Sequence, residues 1–142
     1  MAEGSMSKAE RDEFVAGVRV GILSADDPGR GPFSLPVWYA YEDGVVVIEM
    51  SGSSKKARLL GASGRASLVV QTEDPPYRYV SIEGPVEITP NDRESLPMAV
   101  RYLGDELGGW YAKENPTPPD GVLVRLTPEH WNTMDFGKLL GM

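Results

Sequence analysis

The residues best suited to chemistry lie in one stretch, Val45 to Val70 (VVVIEMSGSSKKARLLGASGRASLVV). Val45–Ile48 is a β-branched run of strand type. Ser51-Gly52-Ser53-Ser54 breaks that run and supplies hydroxyls that can cap a helix. Lys55, Lys56 and Arg58 then fall in the opening turn of the helix expected over residues 54–62. Cations at that position oppose the helix dipole, which favours anions at an N-terminus. The mismatch is relieved if an outside anion sits over the helix start, where free backbone N–H groups, hydroxyls and ammonium groups converge on one phosphate. Two readings fit the spacing: a phosphate-anchoring turn, and a solvated basic face on an acidic protein.

Composition narrows the chemistry further. The 142-residue chain has no Cys, which removes thiolate nucleophiles, disulfides and Cys-based metal sites. It has a single His, His130, so a multi-His metal site within one chain is excluded. The net charge of −7 repels nucleic acid and anionic membrane, so neither is an expected partner. Against that field, the local cluster Lys55, Lys56, Arg58 and Arg65 suits a compact phosphate ligand better than a polyanion. No run has the length of a membrane-spanning helix, and the expected location is cytoplasmic. Met6 reads as a second start, so the expected arrangement is one domain over residues 7–142, with residues 1–6 a disordered or appended lead.

The elements that must position the basic turn follow in chain order. Ser7-Lys8-Ala9-Glu10 is a capping box that opens an amphipathic helix with Phe14 and Val15 inward. Val18–Ser24 reads as the first strand, the Pro/Gly-rich residues 26–32 as a loop, and Pro36–Tyr41 as a second strand. Asp43-Gly44 is a two-residue hairpin signal leading into Val45–Met50. After the basic helix, Ala66–Gln71 and Tyr77–Ile88 are strands, the latter interrupted at Gly84-Pro85 by a bulge or barrel corner. A helix is expected to open at Thr89-Pro90, to kink or split at Pro97, and to break at Gly108-Gly109. Gly121–Leu126 and His130–Phe136 complete the strands. Short turns join strand to strand without regular helical crossovers, so the pattern predicts an antiparallel barrel with peripheral helices.

Three pieces of this sequence, in order, resemble a known superfamily. SKKARLLGASGRASLVV, from Ser54, is similar to the SRKAxxLxxNPxASLxF signature of the pyridoxamine 5'-phosphate oxidase-like split β-barrel proteins. Tyr79–Val86 resembles their VxVxGxV strand, and Pro36-Val37-Trp38-Tyr39 their PVWF strand. The likeness runs from about residue 12 to residue 135. It implies a mainly β fold, a split antiparallel β-barrel of the FMN-binding type, and a homodimer with two flavin-type cofactors at the subunit interface. It also implies that Ser54, Lys55 and Lys56 face the cofactor phosphate, with Met50, Ser51 and Gly52 beside them. Pro36, Val37 and Trp38 would line the tricyclic ring, and Tyr77 and Arg78 of the partner's strand would cover it. Lys55 stands where the motif has Arg and Gly64 where it has Pro; the first change gives up bidentate geometry but keeps the charge.

One departure bears on activity. True pyridoxamine phosphate oxidases continue past the last strand with an RLHDR-type segment that holds the substrate, whereas this sequence stops at Leu139-Leu140-Gly141-Met142. Vitamin B6 oxidation is therefore not expected. The compact length and the PPYRYV segment look more like the flavin/deazaflavin oxidoreductases, some of which use coenzyme F-420 in place of FMN. The expected function is hydride transfer between FMN or F-420 and a small organic substrate. The competing reading is a non-enzymatic protein that binds or carries a flavin or haem. No acid–base constellation stands out, consistent with chemistry carried by a cofactor ring. Trp110 and Tyr111 fit either helix-end packing or a pocket wall, and His130 is read as structural.

Overall fold

The computed structural model describes residues 3–141. The elements run α1 (Lys8–Ala16), β1 (Gly21–Ala25), β2 (Phe33–Val37), β3 (Ala40–Glu42), β4 (Val45–Ser51), α2 (Lys55–Ser63), β5 (Arg65–Gln71), β6 (Arg78–Pro90), α3 (Leu96–Glu114), β7 (Gly121–Leu126), β8 (His130–Asp135) and α4 (Phe136–Leu139). All strand pairs are antiparallel, in the order β2-β1-β5-β6-β7-β4-β3, with β8 on β6. The mainly β, split-barrel expectation is met.

β6 organises this sheet. One of its edges pairs with β5 from Tyr79 to Pro85. Its other edge pairs first with β8 (Arg78–Glu83) and then with β7 (Val86–Pro90). The handover falls at Gly84-Pro85, the corner expected from the sequence, although the ladder to β5 continues through it. A Cβ on Gly84 would lie 1.9 Å from the Thr127 carbonyl oxygen, so the β7–β8 connection crosses here only because the side chain is a hydrogen. The β3–β4 hairpin is the expected two-residue turn, with Asp43 and Gly44 both left-handed at φ 52° and 78°.

Alternation along the strands sends Val46, Ile48, Leu68, Val70, Val80, Ile82, Val124 and Leu126 into one core. α1 closes it with Phe14 and Val15, and α2 with Ala57, Leu59 and Leu60. Tyr39 is fully buried and its hydroxyl donates to the Val15 carbonyl at 2.7 Å; burial pushes its phenol up to about 12.

Several expectations are corrected. The second strand is two strands, because the chain leaves the β1 edge at Trp38-Tyr39 to join β4. The backbone groups freed by that break are satisfied from α3: the Tyr102 hydroxyl accepts from Tyr39 N–H at 3.0 Å, and Arg101 Nε donates to the Tyr39 carbonyl at 3.0 Å. No helix opens at Thr89-Pro90, where β6 is still running. Pro97 lies in the first turn of α3, where its missing N–H costs nothing, so it causes no kink. The chain instead folds back at Gly104 (φ 83°, ψ 174°). Its two arms, residues 96–103 and 105–114, then pack so closely that a Cβ on Gly108 would lie 2.7 Å from Val100 Cα. Gly108-Gly109 therefore lies inside the second arm, with Gly108 at its contact with the first, and is not a break. The final strand ends at Asp135, whose carboxylate accepts from Gly137 N–H and caps α4.

Of the lead expected over residues 1–6, residues 3–6 are described. Met6 is 5% exposed and belongs to the core, its N–H donating to Thr133 Oγ1 at 2.9 Å, and the Gly4 carbonyl accepts from Asp135 N–H at 2.7 Å. Residues 1 and 2 lie outside the described residues.

Candidate functional site

A cleft of about 790 Å³ opens where the end of β2, the end of β4 and the start of α2 face α3 and the loop after it. Its volume is in the range of small-molecule and cofactor sites. Pro36, Val37 and Trp38 form one wall, Met50 and Ser51 the floor beside it, and Lys56 the charged corner. Two of the three sequence pieces, the Pro36–Trp38 strand and the basic turn through Lys56, are thus brought to one concavity; the third, Tyr79–Val86, does not line it within one chain. Trp38 is held in place by stacking on Tyr102 (centroids 5.1 Å apart, planes 5° apart) and by a tilted contact with Tyr111 at 5.3 Å. Tyr111 lines the cleft, while its neighbour Trp110 points outward at 59% exposure.

The basic turn divides its labour among neighbouring side chains. Ser54 is the N-cap of α2: its hydroxyl accepts from Ala57 N–H at 3.2 Å and donates to the Ser51 carbonyl at 2.7 Å. Lys55 turns away from the cleft, its Nζ 3.2 Å from Asp27 Oδ2 and 4.7 Å from the centre of the Phe33 ring. Lys56, one residue on and half-buried, lines the cleft and has no ion-pair partner among the described residues. Gly52 donates its N–H to the Asp120 carbonyl at 2.9 Å. Gly52, Ser54, Lys55, Tyr77 and Arg78 do not line the cleft within one chain. Tyr77 is exposed at the foot of β6, and Arg78 lies over the Phe14 ring at 5.1 Å.

Other lining residues were not singled out from the sequence. Glu49 faces the cleft and accepts from Asn91 Nδ2 at 3.1 Å; Asn91 Oδ1 in turn accepts from Arg93 N–H at 2.9 Å. Arg93 clamps Glu42 with two bonds of 2.8 and 2.9 Å, and this hydrogen bonding holds the Glu42 carboxyl below its usual range. Thr117 Oγ1 donates to the Arg93 carbonyl at 2.7 Å, tying the loop after α3 to the same post. The one local signal for this wall is Asn91 after Pro90, a turn pair that was read as a helix start. Asp120, before β7, does not line the cleft itself, and its only local signal, the Pro119-Asp120-Gly121 run, is that of a turn. Its Oδ2 accepts from Ser51 Oγ at 2.7 Å and from Ser53 N–H at 3.1 Å. These bonds, the Ser51 one foremost, hold the Asp120 carboxyl below its usual range.

His130 lies on the surface of β8, 3.3 Å from Glu129 Oε1 and 3.9 Å from Glu83 Oε1, and does not line the cleft. Among the described residues no group of three His, Asp or Glu side chains converges for a metal ion, and no helix is long and apolar enough to cross a membrane.

Comparison with known proteins bears on the fold and the family. A conserved hypothetical protein of Mycobacterium tuberculosis superposes with a TM-score of 0.82 at 29% identity, covering 100% of this chain and 92% of that one. An F420 reductase aligns at 0.69 and 22% identity (85% of this chain, 94% of that one). A FAD-binding protein of Mesorhizobium loti aligns at 0.66 and 22% (91% and 94%). A haem-binding protein of Mycobacterium smegmatis aligns at 0.64 and 19%, covering 96% of this chain and 61% of its own. A search of curated protein sequences found no match. The family model for pyridoxamine 5'-phosphate oxidase matches residues 7–135, a span that takes in the Pro36–Trp38 wall, the Ser51 turn and Lys56, and on that match the chain belongs to the pyridoxamine 5'-phosphate oxidase family.

Proposed function

We propose that the cleft binds a flavin-type cofactor, FMN or the deazaflavin F-420, at the interface of a homodimer, and that the protein moves hydride between this cofactor and a small organic substrate. The observation that carries the reading is the convergence of the Pro36–Trp38 wall, Met50, the Ser51 hydroxyl and the Lys56 ammonium on one cleft of about 790 Å³. The donor set fits such a group. An apolar wall suits a flat ring, and a cation at a helix start suits a phosphate. The same fold carries proteins described as an F420 reductase and as FAD-binding.

In this mechanism the bound ring supplies hydride transfer. The chain's own residues supply placement. Lys56 and the free N–H groups at the start of α2 fix the phosphate end, and Pro36, Val37 and Met50 exclude water from one face. Trp38, locked on Tyr102, keeps that wall rigid. Val20 lines the cleft and is 49% exposed, and Val18 and Ile22, on either side of it in the sequence, are exposed as well. A second copy packed there would bury that surface and bring its own Tyr77 and Arg78 toward the ring.

The reading is tested by titrating FMN, F-420 and hemin separately into purified protein, following absorbance and melting temperature, with light scattering for the oligomer. The expected result is a two-fold dimer whose melting temperature rises with free FMN or F-420 as mass action requires. A monomer at micromolar concentration, or no shift with either cofactor at saturation, overturns it. Binding of FMN or F-420 with no hydride transfer across a substrate panel would identify a carrier instead.

A further inference from the structure

The turn that offers Ser51 and Lys56 to the cleft already holds an anion of its own. Asp120 Oδ2 takes the hydroxyl proton of Ser51 at 2.7 Å and the Ser53 N–H at 3.1 Å. The carboxylate is fixed in place: the Asp120 carbonyl accepts from Gly52 N–H at 2.9 Å, and a Cβ on Gly52 would sit 2.6 Å from that oxygen. The neighbouring cation Lys55 is engaged by Asp27. The cleft therefore presents the Lys56 ammonium and the Ser51 hydroxyl, with one fixed carboxylate, Asp120, a single hydrogen bond behind Ser51; the lining carboxylates Glu49 and Glu114 belong to the β4 end and to α3.

Resting on the reading of the cleft as a flavin-cofactor site, we propose that Asp120 is a specificity-determining residue that selects the charge of the cofactor phosphate, favouring a singly charged phosphodiester, as in F-420, over the terminal phosphomonoester of FMN. Two physical effects act together. A phosphomonoester carries close to two negative charges at neutral pH, because its second pKa is about 6, whereas a diester carries one. Repulsion from a fixed carboxylate scales with that charge. The second effect is donor accounting. A serine hydroxyl has one proton, and Ser51 gives it to Asp120, so Ser51 meets an incoming phosphate as an acceptor. A doubly charged phosphate has more acceptor demand to satisfy and finds fewer donors.

The test compares wild type with Asp120→Asn, which keeps the shape and an acceptor for Ser51 and Ser53 while removing the charge. Riboflavin, FMN and F-420 are titrated into both at low and high salt. Riboflavin carries the ring without phosphate and is expected to bind the two proteins equally. For a phosphate seated at about 4 Å, removing one carboxylate changes affinity by about fivefold per unit of phosphate charge in water. FMN is therefore expected to gain about fivefold more than F-420, with the difference shrinking in high salt. Asp120→Ala, which also frees the Ser51 proton, is expected to show the same ordering and serves if the Asn variant folds poorly. Equal gains for FMN and F-420, or a loss for FMN, overturn the inference while leaving the cofactor site standing. Failure of all three ligands to bind either protein overturns the cofactor reading and this inference with it.

Discussion

α1 and α2 are each nine residues long and each begins with a capping serine, yet their starts are built in opposite ways. At α1, Ser7 accepts from Glu10 N–H at 3.2 Å and Glu10 Oε1 accepts from Ser7 N–H at 2.9 Å, a closed reciprocal pair. Glu10 also supplies the anion that the helix dipole favours and is bonded by Lys138 at 2.7 Å. At α2, Ser54 caps, but the first turn contains no acidic residue and two lysines instead. The anions that reach this turn come from elsewhere in the sequence, Asp27 to Lys55 and Asp120 to Ser51 and Ser53, and Lys56 is left facing a cleft. A helix start that satisfies itself locally is part of the scaffold. One that omits its own anion is open to a ligand.

The contrast is broken or sharpened by the following changes, the largest first. Lys56→Ala is expected to weaken cofactor binding by roughly 1.5–3 kcal/mol, or one to two decades in dissociation constant. Arg65→Ala removes the same charge from a solvent-exposed pair with Glu129 and is expected to leave affinity unchanged. Titration of both variants at two salt concentrations decides; equal affinities would make the start of α2 an ordinary basic face. Ser7→Ala and Ser54→Ala each remove a cap and are expected to cost about 1 kcal/mol of stability, read by denaturant unfolding. Only Ser54→Ala, which loosens the turn around Ser51, is expected to lower cofactor affinity as well. Lys55→Ala is expected to cost at most about 1 kcal/mol through loss of the Asp27 contact, with cofactor affinity unchanged.

The smallest effect belongs to pH. The hydrogen bond from Lys138, with those of Ser7, lowers the Glu10 pKa from 4.5 to about 2. A depressed folded-state value means that the ionised form stabilises the fold above the unfolded value, and that this contribution is lost as pH falls from about 4.5 toward 2. Melting temperature is expected to fall more steeply across that window in wild type than in Glu10→Gln. α2, with no acid in its first turn, contributes no such step.

Much of the scaffold was legible because its signals are local. The capping box at Ser7, the Asp43-Gly44 hairpin and the corner at Gly84-Pro85 are each set by two to four adjacent residues. The misplaced features are set by distant partners. Trp38-Tyr39 is apolar and strand-like, and leaves the sheet only because Tyr102 and Arg101 satisfy its backbone. Pro97 was expected to kink its helix because its place in the first turn depends on where β6 ends. The fold-back at Gly104 answers to packing of one arm on the other. In the candidate site, Lys55 and Lys56 are indistinguishable by type and neighbourhood in the sequence. What separates them is Asp27, 28 residues earlier in the chain, which claims one and not the other. Asp120 reaches Ser51 from 69 residues away, a distance at which no spacing rule operates.

The handover of partners along β6 sets the order in which the molecule can come apart. β8 is joined to the rest of the sheet by β6 alone, whereas β6 is paired on both edges. β8 and α4 can therefore open and reclose while β5, β6 and β7 stay zipped, a local excursion that costs less than global unfolding. Amide protons of Asn132–Asp135 should exchange with solvent through that excursion, and those of Leu68–Val70, paired to β1 and β6, only when the whole barrel opens. Trp131, which sits on β8 against the core under the Arg11 guanidinium, lies on the strand that moves and makes the excursion visible as fluorescence.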